Sequence, residues 1–124
     1  IFMNTEELIV QQARNVLNSM KDLKRLAHKK GKERSDLFER FFANKHSFQI
    51  YSNIDSAIKQ LDEVQLFLQK LQSFSSAFEP ARYDFEGEVD EALVESTYPE
   101  VLEAYNNMVT KLGFEKEIIN VKRF

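Results

Sequence analysis

Only five residues in this chain strongly interrupt regular secondary structure, namely three glycines and two prolines. They stand at positions 31, 80, 87, 99 and 113, so the run from Lys32 to Glu79 contains neither type. A β-sandwich or barrel needs turn signals about every 8–12 residues, and this run does not supply them. The distribution therefore predicts an all-α chain, folded as an antiparallel helical bundle of four to five helices.

The first predicted helix follows Asn4, a residue type that commonly caps helices, and Glu7 completes a capping-box pattern three positions later. Beyond this cap, apolar residues recur at alternating spacings of four and three, which is typical of one buried helical face. The positions of this seam are Ile9, Ala13, Val16, Met20, Leu23 and Ala27. We expect the helix to end near Gly31.

A second helical pattern runs from about 35 to 73, with Ser35 as its expected cap and a candidate bend or break between 44 and 53. We expect 73–87 to form a loop that its aromatic residues hold against the bundle. Those residues are Phe74, Phe78, Tyr83 and Phe85.

Pro99 suits the first turn of a helix. We therefore expect a short helix over 88–95 and a separate helix that starts after Tyr98. Gly113 then supplies the left-handed residue that often ends a helix. The tail over 114–124 fits a short strand, a docked tail or the start of further sequence.

A chain of 124 residues has the length of one domain and can bury roughly two-thirds of its unfolded surface. We expect a single domain over 3–124, with Ile1 and Phe2 as extra residues ahead of a start at Met3. The chain has no Cys, which excludes disulfides and thiolate zinc sites and fits a reducing compartment. Apolar runs are too short for a secretory signal or a membrane helix, so we expect a cytoplasmic protein without membrane insertion.

Residues with catalytic or metal-binding chemistry are scattered. His28 has Lys24 and Lys32 one helical turn away, and these cations would repel a metal ion. The acidic residues lack the register of a calcium loop and the Glu-x-x-His element of a di-metal carboxylate site. We therefore expect no enzyme, no cofactor, and no catalytic, cofactor-binding or metal-ligating residues.

Charge is separated along the chain. Residues 1–60 contain eleven Lys or Arg and seven Asp or Glu, a net of +4, whereas residues 61–124 contain six and thirteen, a net of −7. A basic segment over 21–34 contains Lys21, Lys24, Arg25, Lys29, Lys30, Lys32 and Arg34. An acidic segment over 84–103 contains the other candidate partner-binding residues, Glu88, Glu91, Glu95 and Glu100.

Two functions fit this separation. The preferred one is a non-enzymatic interaction domain that binds another protein, in an adaptor, chaperone-like or inhibitor and immunity-type role. A second copy of the chain is one candidate partner. The alternative is a nucleic-acid-associated accessory protein that contacts phosphates through the basic segment. Both segments also have an ordinary structural explanation, because cations favour helix C-termini and acidic residues commonly form solvated helix faces.

Overall fold

The computed structural model describes residues 4–124, and helix accounts for 74% of them. Within that range there is no strand, and the chain forms an all-α bundle of five helices, as predicted. The helices are α1 (Thr5–Leu26), α2 (Lys32–Ser52), α3 (Ser56–Lys59), α4 (Asp62–Ser76) and α5 (Glu91–Lys111), with 3₁₀ turns at Glu79–Ala81 and Glu115–Glu117. No helix in residues 4–124 combines the length and hydropathy needed to cross a membrane. The expectations for Ile1, Phe2 and Met3 lie outside the described residues.

The four long helices close into a ring in which each helix is antiparallel to both of its neighbours. Contacts between neighbouring helices show this direction, because the residue numbers rise on one helix as they fall on the next. These contacts are Asp22–Arg40 and Asn15–Asn44 between α1 and α2, and Phe67–Tyr105 and Phe74–Tyr98 between α4 and α5. Between α1 and α5, Lys24 meets Glu95, while Arg14 and Tyr105 donate to the same Glu117 carbonyl.

Phenylalanine rings connect α2 to α4 and so close the ring of helices. Three pairs meet at large interplanar angles, with their centroids 5.0–5.5 Å apart, in the edge-on geometry that aromatic quadrupoles favour. Two pairs, Phe41–Phe74 and Phe48–Phe67, join the helices themselves, and the third, Phe38–Phe78, joins α2 to the turn that follows α4. All six side chains are buried, so this ladder forms the centre of the hydrophobic core.

The seam predicted on α1 is confirmed, because all six of its residues are buried. The Asn4 side chain caps the helix by accepting a hydrogen bond from the Glu7 backbone N–H at 2.8 Å. The predicted end near Gly31 is wrong, since α1 stops at Leu26 and the chain turns over the next five residues. Gly31 has a φ of 114° and itself precedes α2, so Ser35 is not the cap.

The long predicted helix over 35–73 is interrupted, and the break begins at the last residue of the polar stretch at 44–53. Helix α2 continues to Ser52, and the chain then breaks at residues 53–55. The Asp55 carboxylate accepts hydrogen bonds from the backbone N–H groups of Ala57 and Ile58. That cap starts the short α3, which turns the chain back into α4.

Helix α5 runs unbroken through Pro99, so the prediction of two helices separated at this proline is wrong. Its N-cap is Asp90, whose side chain accepts the Leu93 backbone N–H at 3.0 Å. Pro99 has no N–H to donate to the carbonyl of Glu95, a loss that disfavours the helix interior. Buried side chains on both sides of the proline keep the helix continuous by packing into the core. They are Val94, Thr97, Tyr98, Val101 and Leu102.

Gly113 ends α5 as predicted, with a φ of 86°. The N–H of Phe114 donates to the carbonyl of Val109 and that of Gly113 to the carbonyl of Thr110, which is a Schellman motif. The tail that follows is docked against α5 and forms no strand. The Tyr105 hydroxyl donates to the Glu117 carbonyl, Asn106 exchanges two hydrogen bonds with Ile119, and the Tyr98 hydroxyl donates to the Phe124 carbonyl.

Leu23 is fully buried on α1. Leu23→Ala is therefore expected to lower the free energy of unfolding by about 2–5 kcal/mol, because it removes packed methyl groups and leaves a cavity. Urea-induced unfolding followed by circular dichroism measures this change. Ile54→Ala is the control, since Ile54 is 62% exposed and its loss should stay within about 0.5 kcal/mol. A similarly small loss for Leu23→Ala would contradict the packing of α1.

Burial, together with the charge of Asp22, raises the pKa of Tyr98 to about 12 from its usual 10.0. The unfolded chain releases this proton at lower pH than the folded chain. The stability that neutral Tyr98 contributes is therefore complete below about pH 10 and lost as pH rises towards about 12. Tyr98→Phe should lose less stability across that window than the wild type, as measured by urea unfolding at stepped pH. Tyr83→Phe, altered at an exposed ring, should keep the wild-type slope. Equal slopes in all three proteins would refute this role for Tyr98.

Candidate partner-binding surface

The structure brings parts of the basic and acidic segments together within one chain. Lys24 near the end of α1 lies 3.9 Å from the carboxylate of Glu95 on α5. Beyond α1, the Lys30 ammonium donates to the carboxylate of Glu88 at 2.5 Å. The charges that are separate in sequence are therefore partly compensated where α1 and α5 meet.

The Lys30–Glu88 pair changes the proton affinity of both partners. Its hydrogen bond raises the pKa of Lys30 and lowers the pKa of Glu88. Both side chains remain exposed to solvent, where an ion pair is screened and stabilises the fold only weakly. This pair can therefore exchange for contacts with a partner at little cost to the fold.

Arg34 is only 2% exposed, although the sequence places it in the basic segment. Its guanidinium turns inward and donates to three backbone carbonyls, those of Phe85 at 3.0 Å, Gly87 at 2.7 Å and Ala27 at 3.4 Å. These acceptors use its planar array of donors, so the charge is not available to a ligand. Arg34 is therefore not one of the exposed partner-binding residues that the sequence predicted. Its hydrogen bonds instead hold the backbone under this surface in place.

The other bases of the segment are divided between paired and unpaired positions. Arg25 lies 3.7 Å from Asp22, and Lys32 lies 3.1 Å from Asp36. Apart from the buried Arg34, Lys21 and Lys29 are the bases of this segment that have no carboxylate close enough for a salt bridge within residues 4–124. Lys21 instead lies over the ring of Phe124, at 5.2 Å from its centroid.

The acidic candidates lie on different parts of the surface. Glu88 and Glu95 face the end of α1, as described above. Glu100 lies one turn further along α5 and pairs with Lys70 of α4 at 3.2 Å, so it is not part of the same cluster. Glu91, at the start of α5, is exposed and forms no salt bridge within the described part of the chain.

The connection Arg82–Asp90, here called the acidic aromatic loop, exposes two large rings. Tyr83 is 88% exposed and Phe85 is 53% exposed. The expectation that all four aromatic residues of 73–87 pack against the bundle is therefore wrong for these two, while Phe74 and Phe78 are fully buried. The loop also contains four acidic residues in alternation, namely Asp84, Glu86, Glu88 and Asp90.

The main chain of this loop is held in place at several points. The Phe85 carbonyl accepts from both Arg34 and the backbone N–H of Gly31, the latter at 3.0 Å. The Asp90 N–H donates to the Ala77 carbonyl at 3.1 Å. Gly87 packs so tightly that an added Cβ would lie 2.7 Å from the backbone of Ala81. The loop is thus fixed by its backbone while its aromatic and acidic side chains remain exposed.

The spacing of residues along α2 indicates a buried position for Arg34, although its charge suggests an exposed one. Arg34, Phe38, Phe41, Lys45 and Phe48 follow alternating spacings of four and three, which is the pattern of the α1 seam. Two cations thus occupy seam positions on α2. Lys45 is partly buried and donates to Gln72 and Ser75 of α4, and its desolvation lowers its pKa.

Both histidines are exposed. His28 shares an open groove with Lys24, Glu91 and Glu95, but residues 4–124 contain no group of three His, Asp or Glu residues placed to hold a metal ion. Comparison of the chain with known protein families, curated proteins and solved structures finds no match. The surface is therefore interpreted from its own chemistry.

Arg34→Lys tests whether the buried guanidinium holds the loop. One ammonium cannot reproduce the planar array of donors, so the variant should lose about 2–4 kcal/mol of stability. Amide hydrogen exchange at Gly31 should also accelerate, because the loop carbonyl that accepts its hydrogen bond is released. Arg25→Lys, changed at an exposed position of the same segment, should alter neither quantity. Equal behaviour of the two variants would show that Arg34 does not anchor the loop.

Proposed function

We propose that this chain is a non-enzymatic interaction domain that binds another protein, in an adaptor, chaperone-like or inhibitor role. The binding surface is the acidic aromatic loop together with the adjoining start of α5. The observation that carries this proposal is the exposure of Tyr83 and Phe85 on a backbone that Arg34 fixes from beneath. Exposed aromatic residues are the side chains that most often dominate the binding energy of protein interfaces.

The rigidity of the loop strengthens this interpretation. A flexible loop loses conformational entropy when a partner orders it, whereas a loop already held by hydrogen bonds loses much less. Burying a cation such as Arg34 is itself costly unless its hydrogen bonds are satisfied. A fold that used this loop only as a connection would not need two solvated rings at its surface.

The polar groups of the core support a non-enzymatic role. The buried hydroxyls of Ser19, Ser75 and Thr97 donate to carbonyls three or four residues earlier on their own helices. Each of these bonds directs the hydroxyl proton to a backbone acceptor and not to a base, and at Ser75 the neighbouring Lys45 ammonium is the donor to the hydroxyl oxygen. This arrangement favours binding over catalysis as the function.

The nucleic-acid alternative has less support. Of the seven bases in the segment, Arg34 is buried and four others lie beside carboxylates of the same chain. Phosphates would have to compete with those carboxylates for the same cations. The remaining Lys21 and Lys29 provide too few phosphate contacts for strong binding on their own.

Capture from a lysate of the source cells tests the proposed function, with the purified chain as bait and nuclease treatment before capture. We expect the wild type to retain proteins that the double variant Tyr83→Ala/Phe85→Ala does not, because the variant removes both exposed anchors. Ile50→Ala/Ile54→Ala is the matched control, since it removes two exposed apolar side chains near the end of α2 and should capture the same proteins. Mass spectrometry identifies what each bait retains, and circular dichroism verifies that each bait is folded.

Two results would contradict the proposal. Capture that disappears after nuclease treatment of the wild-type sample would favour the nucleic-acid alternative. Identical capture by the wild type and the loop variant would mean that the acidic aromatic loop is not the binding surface.

A further inference from the structure

We infer that the partner presents a lysine- and arginine-rich segment, whose cationic groups stack on the rings of Tyr83 and Phe85 while the surrounding carboxylates compensate their charge. This inference rests on the proposed function and specifies the chemistry of the partner. It depends on two features of the acidic aromatic loop, namely its exposed aromatic rings and its carboxylates that form no salt bridge.

Most carboxylates in the stretch that contains the two rings form no salt bridge within the described residues. Residues 83–91 contain five acidic side chains and no Lys or Arg. In the described residues only one of the five, Glu88, has a salt bridge. The other four are exposed in the same nine-residue stretch as both rings, and they are Asp84, Glu86, Asp90 and Glu91.

The one cation within the loop itself does not neutralise this surface. Arg82 begins the loop, but its guanidinium lies 4.0 Å over the Phe42 ring and 3.8 Å from the carboxylate of Glu79. It also approaches one face of Tyr83, at 5.3 Å from the centroid. Among the described residues no cation lies over Phe85. The exposed part of Phe85, and the second face of Tyr83, are therefore accessible to cations from outside.

Cations placed over aromatic rings are already common on this protein, as in Lys24 at 4.5 Å from the centroid of Tyr98. The negative face of an aromatic ring attracts guanidinium and ammonium groups. Carboxylates beside the ring strengthen that attraction and add hydrogen bonds to the same group. An aromatic pair in the same short stretch as four carboxylates without salt bridges thus matches a segment with several Lys or Arg residues.

Other partners fit this surface less well. An acidic segment or a nucleic acid would be repelled by the carboxylates, and an apolar surface would desolvate them without compensation. A second copy of the chain would need its own basic segment free. Within residues 4–124, that segment has two exposed bases without a carboxylate partner, Lys21 and Lys29, while Arg34 is buried. The basic segment of a second copy thus supplies few free cations, and a separate basic protein is the better match.

Fluorescence anisotropy with a labelled synthetic peptide of alternating arginine and glycine tests this inference directly. The matched probe replaces each arginine with citrulline, which keeps the shape but removes the charge. We expect the arginine peptide to bind the wild type at least about tenfold more tightly than the citrulline peptide, with an affinity that falls as salt rises. Tyr83→Ala/Phe85→Ala should weaken binding of the arginine peptide by about 30-fold, as loss of interface anchors does.

A charge-matched comparison separates local recognition from general attraction. Asp84→Asn/Glu86→Gln and Glu39→Gln/Glu103→Gln each remove two negative charges, and all four positions are exposed. The first pair should weaken binding about tenfold, whereas the second, on α2 and α5 outside the loop, should leave it close to wild type. Equal effects of the two pairs, or equal binding of the two peptides, would overturn the inference.

The arginine peptide is then added in excess to the lysate capture. Displacement of the loop-dependent proteins supports the inference. If those proteins remain bound, the proposed function stands and the cationic partner is excluded. Sedimentation of the purified chain provides a further check, because self-association abolished by Tyr83→Ala/Phe85→Ala would identify a second copy as the occupant and overturn the inference.

Discussion

The edge-on packing of phenylalanine rings between α2 and α4 is the interaction on which the remaining structure depends. Helices α1 and α2 form one antiparallel hairpin, and α4 and α5 form another. The ring pairs between Phe38–Phe48 and Phe67–Phe78 join these hairpins into one core. Each ring buries a large apolar area and adds a directional contact. The docked hairpins in turn bring the α1–α2 turn beside the acidic aromatic loop.

Features that depend on neighbouring residues could be predicted from the sequence. The cap at Asn4, the seam of α1 and the left-handed Gly113 follow from short-range spacing and backbone sterics, and the structure has all three. The path through Pro99 could not be predicted in this way, because it depends on tertiary packing. The missing hydrogen bond disfavours the helix locally, but burial of Tyr98 and Val101 on either side of the proline outweighs that loss.

The candidate surface was less predictable than the fold, because sequence shows how charge is distributed but not which charges meet. Counting bases placed Arg34 with the exposed lysines, although its seam position relative to Phe38 and Phe41 indicated an inward side chain. Likewise, the aromatic content of 73–87 indicated burial for all of its rings. Tyr83 and Phe85 point outward because of the course of the loop backbone, and Arg34 holds that backbone by its hydrogen bonds to Phe85 and Gly87.

The large sequence separation between Arg34 and the carbonyls it binds also has a consequence for folding. Its guanidinium binds carbonyls that are 51 and 53 positions away in sequence. Contacts across so long a chain segment carry a large loop-closure entropy and form readily only when other packing has already brought their ends together. A newly made or partly unfolded chain therefore possesses the rings and carboxylates of the loop but not their arrangement. A partner that recognises this arrangement would therefore distinguish mature molecules from immature ones.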